Sequence, residues 1–186
     1  MTPTKGPAVR IEVNPLLTGK EIEHYWETYD GAFRPISDKN PCRQHFHKAE
    51  FIAAMKDPDF IKLVGYEGER MVFFALGTEN LEKVPWIYRE FYDKRFPEYI
   101  GSRFYVATMY IPLSLQGLGY SDHLLRAIQS YMRRNRLRVV LYDHGAAPPN
   151  SQLTRAILRV PGTQLMEGGP IGAQLYHAVL TTLTGE

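Results

Sequence analysis

The fold is decided by Tyr105–Pro112 (YVATMYIP), which is followed three residues later by Gln116–Ser121 (QGLGYS). The first stretch is rich in apolar and β-branched residues and predicts a strand. The two glycines predict a tight turn, and an amphipathic run from Ser121 predicts a helix directly after it. A strand, a glycine turn and a helix N-terminus together present several backbone N–H groups to one point, which suits a diphosphate. Glycines are favoured there because a Cβ would obstruct the anion and oppose positive φ.

The spacing of this turn separates it from other phosphate-binding loops. It is neither the dinucleotide pattern G-x-G-x-x-G nor a loop that ends in Gly-Lys-Ser/Thr. Gln116-x-x-Gly119-x-Ser121 resembles the pyrophosphate loop of the GNAT acyltransferase superfamily, Gln/Arg-x-x-Gly-x-Gly/Ala, with Ser121 where Gly or Ala is usual. We expect the small Ser121 side chain to cap the helix through its hydroxyl. Asp122 suits the helix dipole but would repel a diphosphate if it pointed inward.

The resemblance implies an acyl-CoA-dependent N-acyltransferase, most simply an N-acetyltransferase. Acetyl-CoA or another acyl-CoA would be the co-substrate, with no metal. Gln116 would bind it together with the backbone amides of the turn, which are those of Gly117, Leu118, Gly119, Tyr120 and Ser121. The pantetheine would pair with the main chain near Tyr110 and Ile111, like an added strand. Asn150, at the start of a predicted helix, matches an asparagine that bonds the pantetheine in relatives.

Composition excludes several other classes. The chain has 186 residues, 44% of them hydrophobic, and a net charge of +2, so one globular domain is expected and the net charge makes no strong case for nucleic acid or an anionic membrane. The longest apolar run, Met71–Leu76, is too short to span a bilayer. Residues 1–7 are expected to be a flexible lead-in without a secretory signal. The single cysteine, Cys42, favours a reducing cytoplasm, and its neighbours His45 and His47 have no evident partners for a metal site.

Periodicity along the chain predicts the order β-α-α-β-β-α-β-α-β-α-β-β. The predicted strands are Ala8–Val13, Phe60–Tyr66, Met71–Gly77, Arg103–Ile111, Leu137–Asp143, Gln164–Glu167 and Gln174–Leu180. The first predicted helix follows the capping box Thr18-x-x-Glu21 and ends before the turn-rich Arg34–Gln44. The other predicted helices cover about His47–Lys56, Pro85–Phe96, Ser121–Arg136 and Asn150–Leu158. Apart from the helix at Pro85–Phe96, this order matches the GNAT order. The resemblance therefore implies an α/β (α+β) domain over residues 1–186, with a mixed, mostly antiparallel sheet of six to seven strands, splayed central strands and flanking helices.

Proton transfer needs a base for the amine and an acid for the leaving thiolate. His144 as base and Tyr142 as acid lie at the end of the second splayed strand, and Glu79 could deprotonate an amine through water. The plainer interpretation is that His144 ends a strand and Glu79 is a solvated carboxylate. The helix tyrosine that protonates the thiolate in many GNAT enzymes has no counterpart in residues 151–159, so it is not carried over. On the first splayed strand, Thr108 and Tyr110 share one face and Met109 and Ile111 the other, and either face could meet substrate.

Three functions remain open at this stage. The first is acetyl transfer to a primary amine of a small molecule or peptide by direct attack, in a monomer or homodimer without membrane association. The second is a silent CoA-binding or interaction module on the same fold, which the missing tyrosine motivates. The third, motivated by Arg133, Arg134, Arg136 and Arg138, is an enzyme that modifies nucleic acid. The aromatic segment Trp86–Tyr99 is either a lid over an apolar pocket or a helix packed on the sheet.

Overall fold

The computed structural model of the chain describes residues 8–38, 45–145, 157–171 and 174–182. These residues form four helices and seven strands. The helices are α1 (Gly19–Ser37), α2 (Lys48–Lys56), α3 (Arg89–Arg95) and α4 (Tyr120–Arg134), and the strands are β1 (Arg10–Val13), β2 (Phe60–Glu67), β3 (Arg70–Thr78), β4 (Arg103–Tyr110), β5 (Val139–Gly145), β6 (Thr163–Ile171) and β7 (Gln174–Thr182). No helix in this described part of the chain is both long and apolar enough to cross a membrane.

All seven strands join one sheet in the order β1-β2-β3-β4-β5-β7-β6. Every neighbouring pair is antiparallel except β4 and β5, which are parallel and are connected through α4. This arrangement confirms the predicted mixed, mostly antiparallel sheet. The pairing of β4 with β5 runs only from Arg103↔Val139 to Val106↔Tyr142. Beyond that point the two central strands separate, as the resemblance implied.

A β-bulge in β4 lies at the point where the strands separate. Leu76 of β3 pairs with Thr108 but the next residue, Gly77, pairs with Val106, so Ala107 is the extra residue. A bulge breaks the alternation of side chains. Val106 and Met109, three residues apart, accordingly pack on the same face of the sheet. The bulge therefore shifts by one residue which side chains in the second half of β4 point to each face of the sheet.

The two faces of the sheet carry separate hydrophobic clusters. One face packs against α1, α2 and α3 and is dominated by aromatic rings, among them Tyr29, Phe51, Phe74 and Tyr92. The other face packs against α4, whose buried stripe includes Leu124, Leu125, Ile128, Tyr131 and Met132. We call these the aromatic face and the α4 face. The buried stripe of α4 is the apolar face predicted from its periodicity.

Two helices differ from their predicted bounds. The capping box at Thr18 and Glu21 forms, with the Glu21 N–H donating to Thr18 Oγ1 over 3.2 Å. The helix that it starts continues through Gly31 and Pro35 to Ser37, where a turn was expected. Pro35 lies in the last turn, where it removes one hydrogen bond, while the aromatic stripe that contacts the sheet keeps the helix intact.

The segment predicted to be helical from Pro85 to Phe96 forms only the seven-residue helix α3, flanked by turns. Trp86, Tyr92 and Phe96 are buried in the aromatic face, so the segment contributes core residues rather than an exposed cover. Most of the predicted helix Asn150–Leu158 and the lead-in 1–7 lie outside the described residues.

Candidate functional site

The glycine turn between β4 and α4 has the backbone conformation that its glycines predict. Gly117 and Gly119 have φ of 82° and 89°, in the left-handed region that only glycine enters without strain. Gly119 occupies the N-cap position of α4. The Leu118 N–H donates to the Leu115 carbonyl over 3.3 Å. Within the described residues, the N–H groups of Gly117, Gly119, Tyr120 and Ser121 have no protein acceptor, so four donors gather at the positive end of a helix.

Two expectations about the start of α4 are changed by the structure. Ser121 does not cap the helix, because the cap position is two residues earlier and is filled by Gly119. Ser121 instead lies in the first turn and lines a cleft. Asp122 is exposed and is not part of the cleft wall.

This cleft has a volume of about 320 Å³ and lies between the end of β4, the glycine turn and the first turns of α4. Its wall contains six residues predicted to bind the coenzyme, namely Tyr110, Ile111, Gln116, Gly117, Tyr120 and Ser121. Leu118 and Gly119, also predicted there, are exposed and do not line it. Gln116 Nε2 donates to the Ile111 carbonyl over 3.2 Å and thereby fixes the turn against the strand.

The cleft opens on the α4 face. Met109 and Ile111 pack against the α4 cluster, whereas the Tyr110 ring contacts Phe74 on the aromatic face with centroids 6.2 Å apart. Tyr110 therefore meets the cleft mainly through its backbone, which has no partner on β5. An unpaired strand edge of this kind can accept an extended ligand as an additional strand.

The hairpin between β2 and β3 holds the turn in position. The Tyr120 hydroxyl donates to Glu67 Oε2 over 2.9 Å, and Arg70 Nη2 donates to Ser114 Oγ over 3.3 Å. The hydrogen bond to the Glu67 carboxylate raises the pKa of Tyr120. These contacts join the first residue of α4 and the preceding loop to a second element, so the amide donors are fixed before any ligand arrives.

Sequence reasoning missed Arg159 in the wall of the cleft. This exposed residue lies beyond the segment 146–156 and reaches the same cleft as Gly117 and Ser121. It is the single charged side chain among the described residues that line the cleft. No local motif marks it, because only the tertiary fold brings it to the glycine turn.

Asp143 was also missed, although it lies between two predicted residues. It is the first residue of β5 beyond the last pair with β4, and its side chain lies on the aromatic face. The Tyr92 hydroxyl donates to Asp143 Oδ1, and the Tyr105 hydroxyl also bonds the carboxylate. Trp86 Nε1 donates to the Tyr105 hydroxyl over 3.0 Å. Burial raises the pKa of Asp143 to about 7, although the two tyrosine hydrogen bonds oppose this increase.

The structure describes the side chains of two of the three predicted catalytic residues, Tyr142 and Glu79, and these two lie apart. Tyr142 is buried on the α4 face in the cluster that includes cleft residues Leu115 and Leu124, and burial raises its pKa so that it stays protonated. Glu79 accepts a hydrogen bond from Tyr131 over 3.3 Å at the far end of α4 from the glycine turn. The backbone of His144 pairs with His177, its side chain lies outside the described atoms, and Asn150 lies outside the described residues.

Fold and site together define an open sheet with a cleft of about 320 Å³ beside the separation of two parallel strands. This is the fold of GNAT N-acetyltransferases, as comparison with solved structures shows. The chain is similar to aminoglycoside acetyltransferase AAC(6')-Ib in complex with coenzyme A and kanamycin, with 12% identity over 94% of this chain and 95% of that chain and a TM-score of 0.66.

Two other solved structures indicate how widely acceptors vary on this fold. The ribosomal-protein-S18-alanine N-acetyltransferase from Escherichia coli is 9% identical over 96% of this chain and 97% of its own, with a TM-score of 0.57. FeeM, an N-acyl amino acid synthase from uncultured soil microbes, is 10% identical over 94% and 92%, with a TM-score of 0.64. No protein-family model matches the chain, and no curated protein matches it in sequence. The shared fold is therefore confirmed by structure alone.

Proposed function

We propose that this protein is an acyl-CoA-dependent N-acyltransferase, most simply one that transfers an acetyl group to a primary amine by direct attack. The observation that carries the proposal is a set of four N–H groups, at Gly117, Gly119, Tyr120 and Ser121, that have no acceptor among the described residues and lie beside a cleft between separated strands. Structural neighbours that were solved with coenzyme A support it. The fit is chemical as well, because a helix N-terminus with free amides is a strong diphosphate site.

In this proposal the diphosphate of acyl-CoA binds to the glycine turn and the pantetheine lies along the free edge of β4 at Tyr110 and Ile111. The thioester then reaches the point where β4 and β5 separate. The leaving thiolate needs a proton, and the protonated, buried Tyr142 hydroxyl is our proposed donor. His144, next along β5, remains a candidate base. Glu79 has no role in this proposal because it lies at the opposite end of α4.

The proposal is tested by two measurements on the full chain. Acetyl-CoA should raise the melting temperature by mass action. Free thiol should then appear when acetyl-CoA meets at least one amine from a panel of aminoglycosides, amino acids, polyamines and N-terminal peptides. No thermal shift at millimolar acetyl-CoA would contradict the proposal. A thermal shift without turnover on any amine would favour the silent binding module instead.

Arg159 provides an independent test of where the coenzyme's phosphates lie. We expect Arg159→Ala to weaken coenzyme A binding about fivefold at low salt, because an exposed cation contributes about 1 kcal/mol to an ion pair. The loss should shrink as salt screens the pair. Calorimetric titration measures it, with Arg126→Ala as the control, because Arg126 is exposed on α4 but does not line the cleft. Equal effects of the two substitutions would exclude a specific role for Arg159.

A further inference from the structure

The gap where β4 and β5 separate connects the two faces of the sheet. The cleft lies on the α4 face, whereas Asp143 lies on the aromatic face, immediately past the last β4–β5 pair at Val106↔Tyr142. Among the described residues, this is where a ligand in the cleft can meet a group from the aromatic face. Beyond the last pair, no β-sheet hydrogen bonds join β4 to β5, so a side chain from the aromatic face can approach the ligand between the two strands.

Two buried polar atoms at this point have no hydrogen-bond partner among the described residues. They are Thr108 Oγ1 on β4 and Asp143 Oδ2 on β5. Thr108 is 6% exposed. It pairs with Leu76, a residue of the aromatic face, and directly opposite residues of an antiparallel pair point to the same side. Thr108 and Asp143 therefore share one face of the sheet beside the separation.

An unsatisfied buried polar atom normally costs stability, so two such atoms on one face suggest that a ligand forms the missing hydrogen bonds with them. The rest of the Asp143 carboxylate is already fixed. Tyr92 from α3 and Tyr105 from β4 bond it, and Tyr105 is bonded in turn by Trp86. No lysine or arginine of the described chain forms an ion pair with Asp143. The network therefore orients the carboxylate and leaves Oδ2 for a cationic or hydrogen-bond-donating ligand.

We propose that Thr108 Oγ1 and Asp143 Oδ2 receive the primary ammonium group of the acceptor and that Asp143 takes its proton. The inference rests on the function proposed above and specifies its acceptor site. A primary ammonium group has three N–H donors and can serve both oxygens, whereas a tertiary ammonium has one donor and a quaternary ammonium has none, so the site favours primary over tertiary or quaternary amines.

The proposed reaction balances without a further reagent. The Asp143 carboxylate accepts one proton from the ammonium, and the nitrogen lone pair then attacks the thioester carbon. The C–N bond forms and the C–S bond breaks. The sulfur leaves as a thiolate that takes a proton from the proposed donor, Tyr142. The acylated nitrogen gives up its second proton, which restores Tyr142 through solvent, and Asp143 releases the first proton to solvent. The products are the amide, the free thiol of coenzyme A and one proton. A carboxyl that titrates near neutral pH suits this cycle.

The site can be tested without knowing the acceptor. S-aminoethyl-coenzyme A carries a primary ammonium just beyond the sulfur, and S-propyl-coenzyme A carries a methyl group of similar size in its place. We expect the wild-type protein to bind the amino compound about tenfold more tightly at about pH 8, as charge-assisted hydrogen bonds predict. Asp143→Asn should remove this preference while leaving the affinity for the S-propyl compound unchanged.

The remaining variants control for folding and for general charge. Thr108→Val should retain the fold and reduce the preference in part, because it replaces a hydroxyl without a partner by a methyl group. Asp122→Asn removes a carboxylate near the glycine turn but away from the separation, and it should keep the full preference. Binding of the S-propyl compound without preference for the amine, or a preference that survives Asp143→Asn, would overturn this inference alone. Failure of the wild-type protein to bind either compound would overturn the proposed function together with it.

Discussion

Replacing Gly119 by aspartate is expected to abolish coenzyme A binding, with an affinity loss of about 100-fold or more. Gly119 has φ of 89° and caps α4, and a Cβ added there meets no protein atom within 4 Å. The new side chain would therefore project into open space beside the amides that are proposed to bind the diphosphate. Its carboxylate would stand beside a diphosphate and reverse the favourable field of the helix N-terminus. Acetyl-CoA should then no longer raise the melting temperature.

A matched substitution separates this effect from backbone strain. Gly101 also has positive φ, 77°, with no atom within 4 Å of an added Cβ, but it precedes β4 at the opposite end of that strand from the glycine turn. Gly101→Asp introduces the same residue and similar strain, of order 1 kcal/mol. It should lower the melting temperature of the free protein about as much as Gly119→Asp but retain the full response to acetyl-CoA. Equal loss of the response in both variants would show that the glycine turn has no special role.

The second large effect concerns the pH dependence of folding. The pKa of Asp143 is raised from 3.8 to about 7 in the folded protein because the carboxyl is buried. Its contribution to stability is complete below the unfolded pKa and is lost as pH rises through the folded pKa. A shift of this size corresponds to about 4 kcal/mol between about pH 4 and pH 8. Relative to wild type, Asp143→Asn should therefore gain about that much free energy of unfolding across the interval.

Urea unfolding at several pH values measures this difference directly. Other groups contribute to the pH dependence of both proteins, so the informative quantity is the difference between the two curves at each pH. Asp122→Asn, which removes an exposed carboxylate, is the matched control for the loss of one negative charge. Parallel curves for wild type and Asp143→Asn would contradict a buried carboxyl of raised pKa. A gain in stability together with a loss of amine binding would indicate that function maintains this residue at a cost to stability.

The glycine turn could be predicted from sequence because its determinants are local. The turn needs glycine at positions 117 and 119 because both have positive φ, and the helix starts directly after Gly119. The order of the helices and strands could be predicted for the same reason, since hydrophobic periodicity and turn residues depend on short stretches of sequence. Pro35 shows the limit of such reasoning, because tertiary packing of the α1 aromatic residues outweighs a local helix breaker.

The proposed catalytic residues could not be predicted in the same way. Tyr142 and Asp143 are neighbours on β5, so their side chains lie on opposite faces of the sheet. Which side faces the acceptor depends on the aromatic packing of α1 to α3 and on the bulge at Ala107. Neither feature has a signature in a single stretch of sequence. Arg159 likewise reaches the cleft only through the connection of distant elements.

The central claim is that the amides of the glycine turn bind the diphosphate of acyl-CoA. Nuclear magnetic resonance on protein labelled with ¹⁵N-glycine tests it most directly, because the chain has 15 glycines and each gives at most one amide signal. We predict that titration with coenzyme A shifts the Gly117 and Gly119 amide signals strongly and leaves Gly101 and Gly31 unchanged. Unchanged Gly117 and Gly119 signals at saturating coenzyme A would contradict the account.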